Sequence, residues 1–260
     1  MNISKIISLA KICPNEFIGF ASIKWSKKKF RLREDYYTLF VHAEDTFLYC
    51  QRMLTLYGKF VADIGRPIVV VLESPHVDEF FSNPLQVFNG GVVYCRPANG
   101  VARGTAGFLL KEWLSDVLVN AEALADGLLH PIIIANACQY QCSEGLPTRT
   151  GPRDEKFLEL FCGRDPRFNS TALVQRLVSY NPSKIIVACT KGKSSFIKAW
   201  LFAHNKGIFS IVHEFTLRGC VELALLQSDV SFVSVGHPCS WFKSCCRKVR
   251  NIQLLRRPRK

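Results

Sequence analysis

No apolar run in the 260-residue chain approaches the roughly 20 residues needed to cross a bilayer. The opening stretch, MNISKIISLAKIC, carries lysines inside a short apolar run and lacks a small-residue cleavage site, which argues against a signal peptide. Internal repeats and low-complexity segments are missing, as are the C-x-x-C pairs of a zinc ribbon. CQYQC (Cys138, Cys142) and SCC (Cys245, Cys246) are poor metal signatures, so neither a metal nor another cofactor is expected. The eleven cysteines are scattered, and some sit inside apolar strands, as Cys189 does in IIVACT. Free thiols in a reducing cytoplasm fit that distribution better than a disulfide framework.

Acids are absent from two stretches. Residues 24–33, KWSKKKFRLR, carry six basic residues and residues 243–260, KSCCRKVRNIQLLRRPRK, carry eight. Removing those 14 from the 34 lysines and arginines leaves 20 against 21 acids, so the net charge of +13 is confined to two flanks of a neutral body. Trp25, Phe30 and Leu254 lie within these runs and suggest packing against a partner rather than loose solvated tails. A polyanion is the natural partner, because each phosphate neutralised by Lys or Arg releases condensed counterions. An anionic membrane surface would satisfy the same charge.

With 48% hydrophobic residues, the chain can bury a large core without metal or disulfide staples. From Asp35 to Ala62, the positions Tyr36, Phe40, Ala43, Phe47, Cys50, Leu54 and Tyr57 step by four and three, which predicts a long helix. Gly65, Arg66 and Pro67 end it. IVVVL (residues 68–72) then reads as a strand buried on both faces. Helices are expected in GTAGFLLKEWLSDVL, with Thr105 as a cap, in STALVQRLVSY from Ser170 and in KSSFIKAWLFAHN. Strands are expected over residues 131–138, 184–190 and 230–236. This alternation predicts an α/β three-layer sandwich around a central, mostly parallel four-stranded sheet flanked by helices. Residues 66–260 would form that domain, and residues 1–65 a basic, helical N-terminal extension.

In such sheets ligands sit at the carboxyl ends of the strands, and here those ends are polar. The first ends in Glu73, Ser74, Pro75 and His76, with Asp78 beyond. The second ends in Asn136, the third in Thr190, Lys191 and Gly192, and the fourth in His237. CTKGKSS lacks the earlier glycine of a phosphate-binding loop, and a helix N-terminus touching a phosphate backbone is the more modest expectation.

LESPH (residues 72–76), IIIANAC, RGTAGFLLKEWL (residues 103–114) and HPCSW (residues 237–241), in this order, resemble the motifs of the uracil-DNA glycosylase superfamily over residues 66–250. The resemblance implies hydrolysis of the N-glycosidic bond of a flipped-out base in double-stranded DNA. Ser74 stands where many members carry aspartate. His76 replaces the tyrosine that excludes a 5-substituent, so a modified pyrimidine is expected, such as hypermodified cytosine in phage DNA. Bacterial antiphage members of the superfamily offer a precedent, and uracil excision in DNA repair is the rival. No lysine stands out as a Schiff-base nucleophile, so a monofunctional enzyme is expected, acting as a monomer in the cytoplasm and without a membrane partner. A non-catalytic DNA-binding module is the alternative outside enzymes.

Base excision requires the nucleotide to leave the stack, and it requires stabilisation of a cationic sugar and a departing anion. His237 is the candidate for the leaving-group contact, since a donor fixed at a strand end matters most where charge develops. Asn136 would bond the Watson–Crick edge of the base, or else cap a turn. Glu73 and Asp78 compete to orient the attacking water, while one of them pairs with Arg103 or caps a helix. Ser74, His76 and Phe88 complete the implied base pocket. Trp241 and Phe242 follow the histidine where a wedge enters the duplex, Trp241 being the stronger candidate for exposure. Arg149 and Arg153 in the loop EGLPTRTGPRDEK, together with Lys191, Lys243 and Arg247, are candidates for phosphate contacts.

Overall fold

The computed structural model describes residues 15–21, 39–40, 65–75, 105–126, 128, 130–142, 151–206 and 214–250. Four strands form the expected parallel sheet: β3 (Ile68–Leu72) lies between β4 (His130–Asn136) and β5 (Lys184–Val187), and β6 (Val233–Ser234) pairs with β5. Every residue of β3 and β4 is buried, as a sheet covered on both faces requires.

Two further strands extend this sheet. β1 (Asn15–Ala21) runs antiparallel to β4, and β2 (Leu39–Phe40) runs antiparallel to β1, giving the order β2-β1-β4-β3-β5-β6. The N-terminal segment therefore contributes strands to the sheet. Leu39 and Phe40, expected in a helix, are corrected to a strand. The run YYTLFV around them is aromatic and β-branched, and that preference wins over the four-three spacing. β1 also covers the edge of β4, an apolar strand that would otherwise present open main-chain groups. The rest of the expected long helix lies outside the described residues.

Alternate residues of the parallel strands feed two cores, because successive side chains of a strand point to opposite faces. Ile68, Val70, Leu72, Ile132 and Ile134 pack with α1 (Thr105–Asn120) and Trp241 on one face. Val69, Val71, Ile133 and Ala135 pack on the other face against α2 (Gly151–Phe161), α3 (Ser170–Ser179), α4 (Ser194–Ala203) and α5 (Leu217–Gln227). Burying each such aliphatic side chain contributes about 1.5–3 kcal/mol. The result is the three-layer α/β sandwich. No helix among the described residues is long and apolar enough to cross a membrane.

The helix ends follow their sequence. Asn169 caps α3 by accepting from the Ala172 N–H at 2.9 Å, and Thr216 caps α5 by accepting from the Gly219 N–H at 2.9 Å. α2 begins inside EGLPTRTGPRDEK, a loop on the sequence expectation, because proline in a first turn starts a helix rather than breaking it.

After β6 the chain turns through a short 3-10 helix (Pro238–Ser240) and α6 (Ser244–Arg247), then returns to the sheet. Ser234 and Arg250 exchange two main-chain hydrogen bonds, of 3.1 and 2.8 Å, and the Gly236 N–H donates to the Cys246 carbonyl at 2.8 Å. Between β3 and β5 the strand order reverses, and at the carboxyl edge of such a reversal α/β sheets bind ligands.

Candidate functional site

The carboxyl ends of the four parallel strands lie side by side along that edge. Glu73 directly follows β3 and is 2% exposed. Its Oε2 accepts the Thr190 N–H at 2.9 Å, across the end of β5, and its Oε1 pairs with the buried guanidinium of Arg153 from the first turn of α2. The main chain is equally committed, because the Glu73 carbonyl accepts the Cys138 N–H at 2.8 Å. Among the described residues, the cation paired with Glu73 is thus Arg153.

Asn136 ends β4 opposite Leu72 and is wholly buried. Neither its amide nitrogen nor its amide oxygen has a hydrogen-bond partner among the described residues. Leaving such groups unmade costs about 1–3 kcal/mol each, so a native protein keeps them only for a reason. The Thr190 hydroxyl is buried and unpartnered in the same way.

His237 stands at the end of the chain leaving β6. Its Nδ1 accepts the Cys239 N–H at 3.3 Å, which places the proton of the neutral ring on Nε2. Withdrawal of the ring from water, reinforced by the nearby positive charge of Arg153, pushes its pKa down to about 3. The ring is therefore a neutral donor across the whole physiological range. Burial raises the pKa of the Cys239 thiol and lowers that of Arg153, whose charge the neighbouring Asp154 supports. Asp154 itself accepts the Lys193 N–H at 2.6 Å and so ties the loop after β5 to α2. That loop passes through Gly192 at φ +67, where a Cβ would meet the Asp154 carboxylate at 2.9 Å.

Three phosphate or wedge assignments need correction. Trp241 is not an exposed wedge: it is 0% exposed, packs in the α1 core and donates from Nε1 to the Gly236 carbonyl at 2.6 Å. The turn that begins at Pro238 directs Trp241 inward and its neighbour outward, leaving Phe242 59% exposed. Arg153 does not reach solvent phosphate, because its first-turn position in α2 buries it beside Glu73. Arg247 is engaged in the fold: it lies 3.9 Å above the Trp113 ring, 3.4 Å from the Asp116 carboxylate, and donates to the Trp241 carbonyl.

Lys191 and Lys243 remain exposed. Lys191 stands 3.8 Å from Glu214 and, with Ser194, Ser195 and Lys198, lines a cavity of about 330 Å³ at the start of α4. The Lys243 ammonium lies 5.4 Å from the Phe242 ring centroid. Ser74, half-buried, lies against the Cys142 thiol. His76, Asp78, Phe88 and Arg149 fall outside the described residues.

Sequence reasoning overlooked Arg176 of α3, which donates to the carbonyls of Asn136 and Ala137 at 2.8 and 3.2 Å. The signal was present, since Arg176 lies three and four residues after the buried Leu173 and Ala172 and so shares their inward side. Among the described residues no three His, Cys, Asp or Glu side chains gather as a metal site would require. Along the strand ends lie a neutral imidazole donor, a buried amide whose donor and acceptor are open among the described residues, and a neutralised ion pair.

No family model, curated protein or solved structure matches the chain.

Proposed function

We propose that the chain is a monofunctional DNA glycosylase that hydrolyses the N-glycosidic bond of a flipped-out, modified pyrimidine, leaving an abasic site. The observation that carries this reading is the buried amide of Asn136, unpartnered among the described residues, on the same strand-end edge as the neutral His237. An amide with an open donor beside an open acceptor complements the edge of a nucleobase, which presents the same pair in reverse.

The chemistry follows from charge. As the glycosidic bond breaks, electrons move onto the base and its carbonyl oxygen becomes anionic. A neutral Nε2–H donor strengthens its hydrogen bond as that charge grows, without first surrendering a proton. The cationic sugar calls for a carboxylate that also orients water, and Asp78 is the better candidate because Glu73 is already satisfied by Arg153 and Thr190.

Eversion of the nucleotide costs a few kcal/mol. Phe242, exposed five residues after His237, takes over from Trp241 as the side chain that fills the vacated stack. Lys191 and Lys243 supply phosphate contacts on either side. The protein would act as a monomer on double-stranded DNA in the cytoplasm, with phage DNA carrying modified cytosine as the substrate and uracil in repair as the rival.

The test is incubation with duplexes containing 5-hydroxymethylcytosine or uracil, followed by alkali and analysis of the released base. Release lost in His237→Ala supports the reading. Tight binding of the duplex with no base in the supernatant from either substrate supports instead a DNA-binding module without catalysis. The occupied Glu73 and the serine at position 74 are the features that favour that second reading.

A further inference from the structure

Among the described residues the Asn136 amide has no hydrogen bond of its own to hold it in place, so within them the direction in which it points is set by its main chain. That main chain is fixed from two sides. On the sheet side, the Ala137 N–H donates to the Leu72 carbonyl at 2.7 Å and the Cys138 N–H to the Glu73 carbonyl at 2.8 Å. On the helix side, one terminal nitrogen of Arg176 bridges the carbonyl oxygens of Asn136 and Ala137.

Arg176 has no carboxylate partner among the described residues. Its removal from water pulls its pKa down to about 10, with the Cys138 thiol and the Tyr180 phenol as its titratable neighbours, so it stays charged at neutral pH. Desolvating a guanidinium without a counterion is costly, and an apolar residue at this point of α3 would pack at no such cost. The last turn of α3 offsets part of the penalty, because helix carbonyls there favour a cation.

We infer that Arg176 is a positioning residue: by bridging the main-chain oxygens of Asn136 and Ala137, it aims the Asn136 amide at the ligand along the strand-end edge. The inference rests on the glycosylase reading for the identity of that ligand, a nucleobase edge. A lysine in its place keeps the charge but lacks the planar array of donors that defines the direction of both contacts.

The experiment is Arg176→Lys, with base release measured from duplexes carrying 5-hydroxymethylcytosine or uracil. The side-chain amide resonances of Asn136, identified by their loss in Asn136→Ala, are followed in parallel. Displaced resonances, with kcat/KM reduced about a hundredfold while circular dichroism remains native, support the inference. Unmoved resonances with wild-type release overturn it. If the unsubstituted protein releases no base, the glycosylase reading falls, and the resonances alone decide: movement supports the positioning role and constancy refutes it. If the lysine variant does not fold, exchange of the Arg176 guanidinium protons in the unsubstituted protein decides instead. Protection beyond that of the exposed Arg164 supports the bridge, and equal exchange overturns it.

Discussion

The carboxylate of Glu73 and the guanidinium of Arg153 form a buried ion pair, 2% and 6% exposed, between the end of β3 and the start of α2. Breaking such a pair from one side strands a charge and costs about 3–5 kcal/mol, whereas removing both charges costs much less. Glu73→Gln and Arg153→Met are therefore each expected to destabilise strongly, with the double variant well short of their sum. Urea unfolding in a double-mutant cycle measures the coupling, and additive losses would refute the pairing. Because Glu73 is occupied, Asp78→Asn is expected to abolish base release.

His237 makes stability depend on acid. Its pKa is 6.5 in the unfolded chain and about 3 in the folded one. Below pH 6.5 the unfolded chain takes up a proton that the folded protein refuses, so this residue's share of stability is intact above 6.5 and drains away toward pH 3. His237→Ala is expected to flatten that slope and to slow base release by about 10²–10³-fold. The ring protons of His237 should show no titration in NMR spectra between pH 5 and 8. A midpoint near 6.5 would contradict the neutral-donor mechanism.

Asn136 separates function from folding. An unpartnered buried amide weakens a protein, and Asn136→Ala is expected to leave thermal stability unchanged or to raise it by about 1–3 kcal/mol. The same substitution should abolish base release. A large loss of stability would mean that the amide is satisfied in solution and serves the fold instead.

Trp241 and Phe242 should behave as opposites despite being neighbours. Trp241→Ala empties part of the α1 core and is expected to cost about 3–5 kcal/mol. Phe242→Ala touches no core and should leave unfolding unchanged. It should slow release from duplex DNA while sparing single-stranded DNA, where no stack has to be refilled. Equal losses on both substrates would remove Phe242 from the wedge role.

The four parallel strands were legible because each is a short apolar run that stops at a polar residue, and the sandwich followed from their alternation with helices. α5 escaped notice because Leu217 to Leu225 are all buried, including the ion-paired Arg218 and Glu222, so no polar face marks its period. The placing of Asn136 and His237 at strand ends was legible, because each follows an apolar run. What the side chains of the neighbouring helices touch was not legible. Arg153 looked like a surface clamp and Trp241 like a wedge, since sequence supplies residue type but not which side of a turn faces the core. Arg176 could be placed on the inward side of α3 from its spacing, but its partners, the carbonyls of Asn136 and Ala137, could not.

The main-chain bonds between Ser234 and Arg250 close residues 234–250 into a loop fastened at its base like a drawn noose. His237, Phe242 and Lys243 all ride on that loop, which is held at its base by this knot and further in by the Gly236–Cys246 bond and the buried Trp241. Shortening the chain to residue 249 would untie the knot and leave those inner anchors to hold the loop alone.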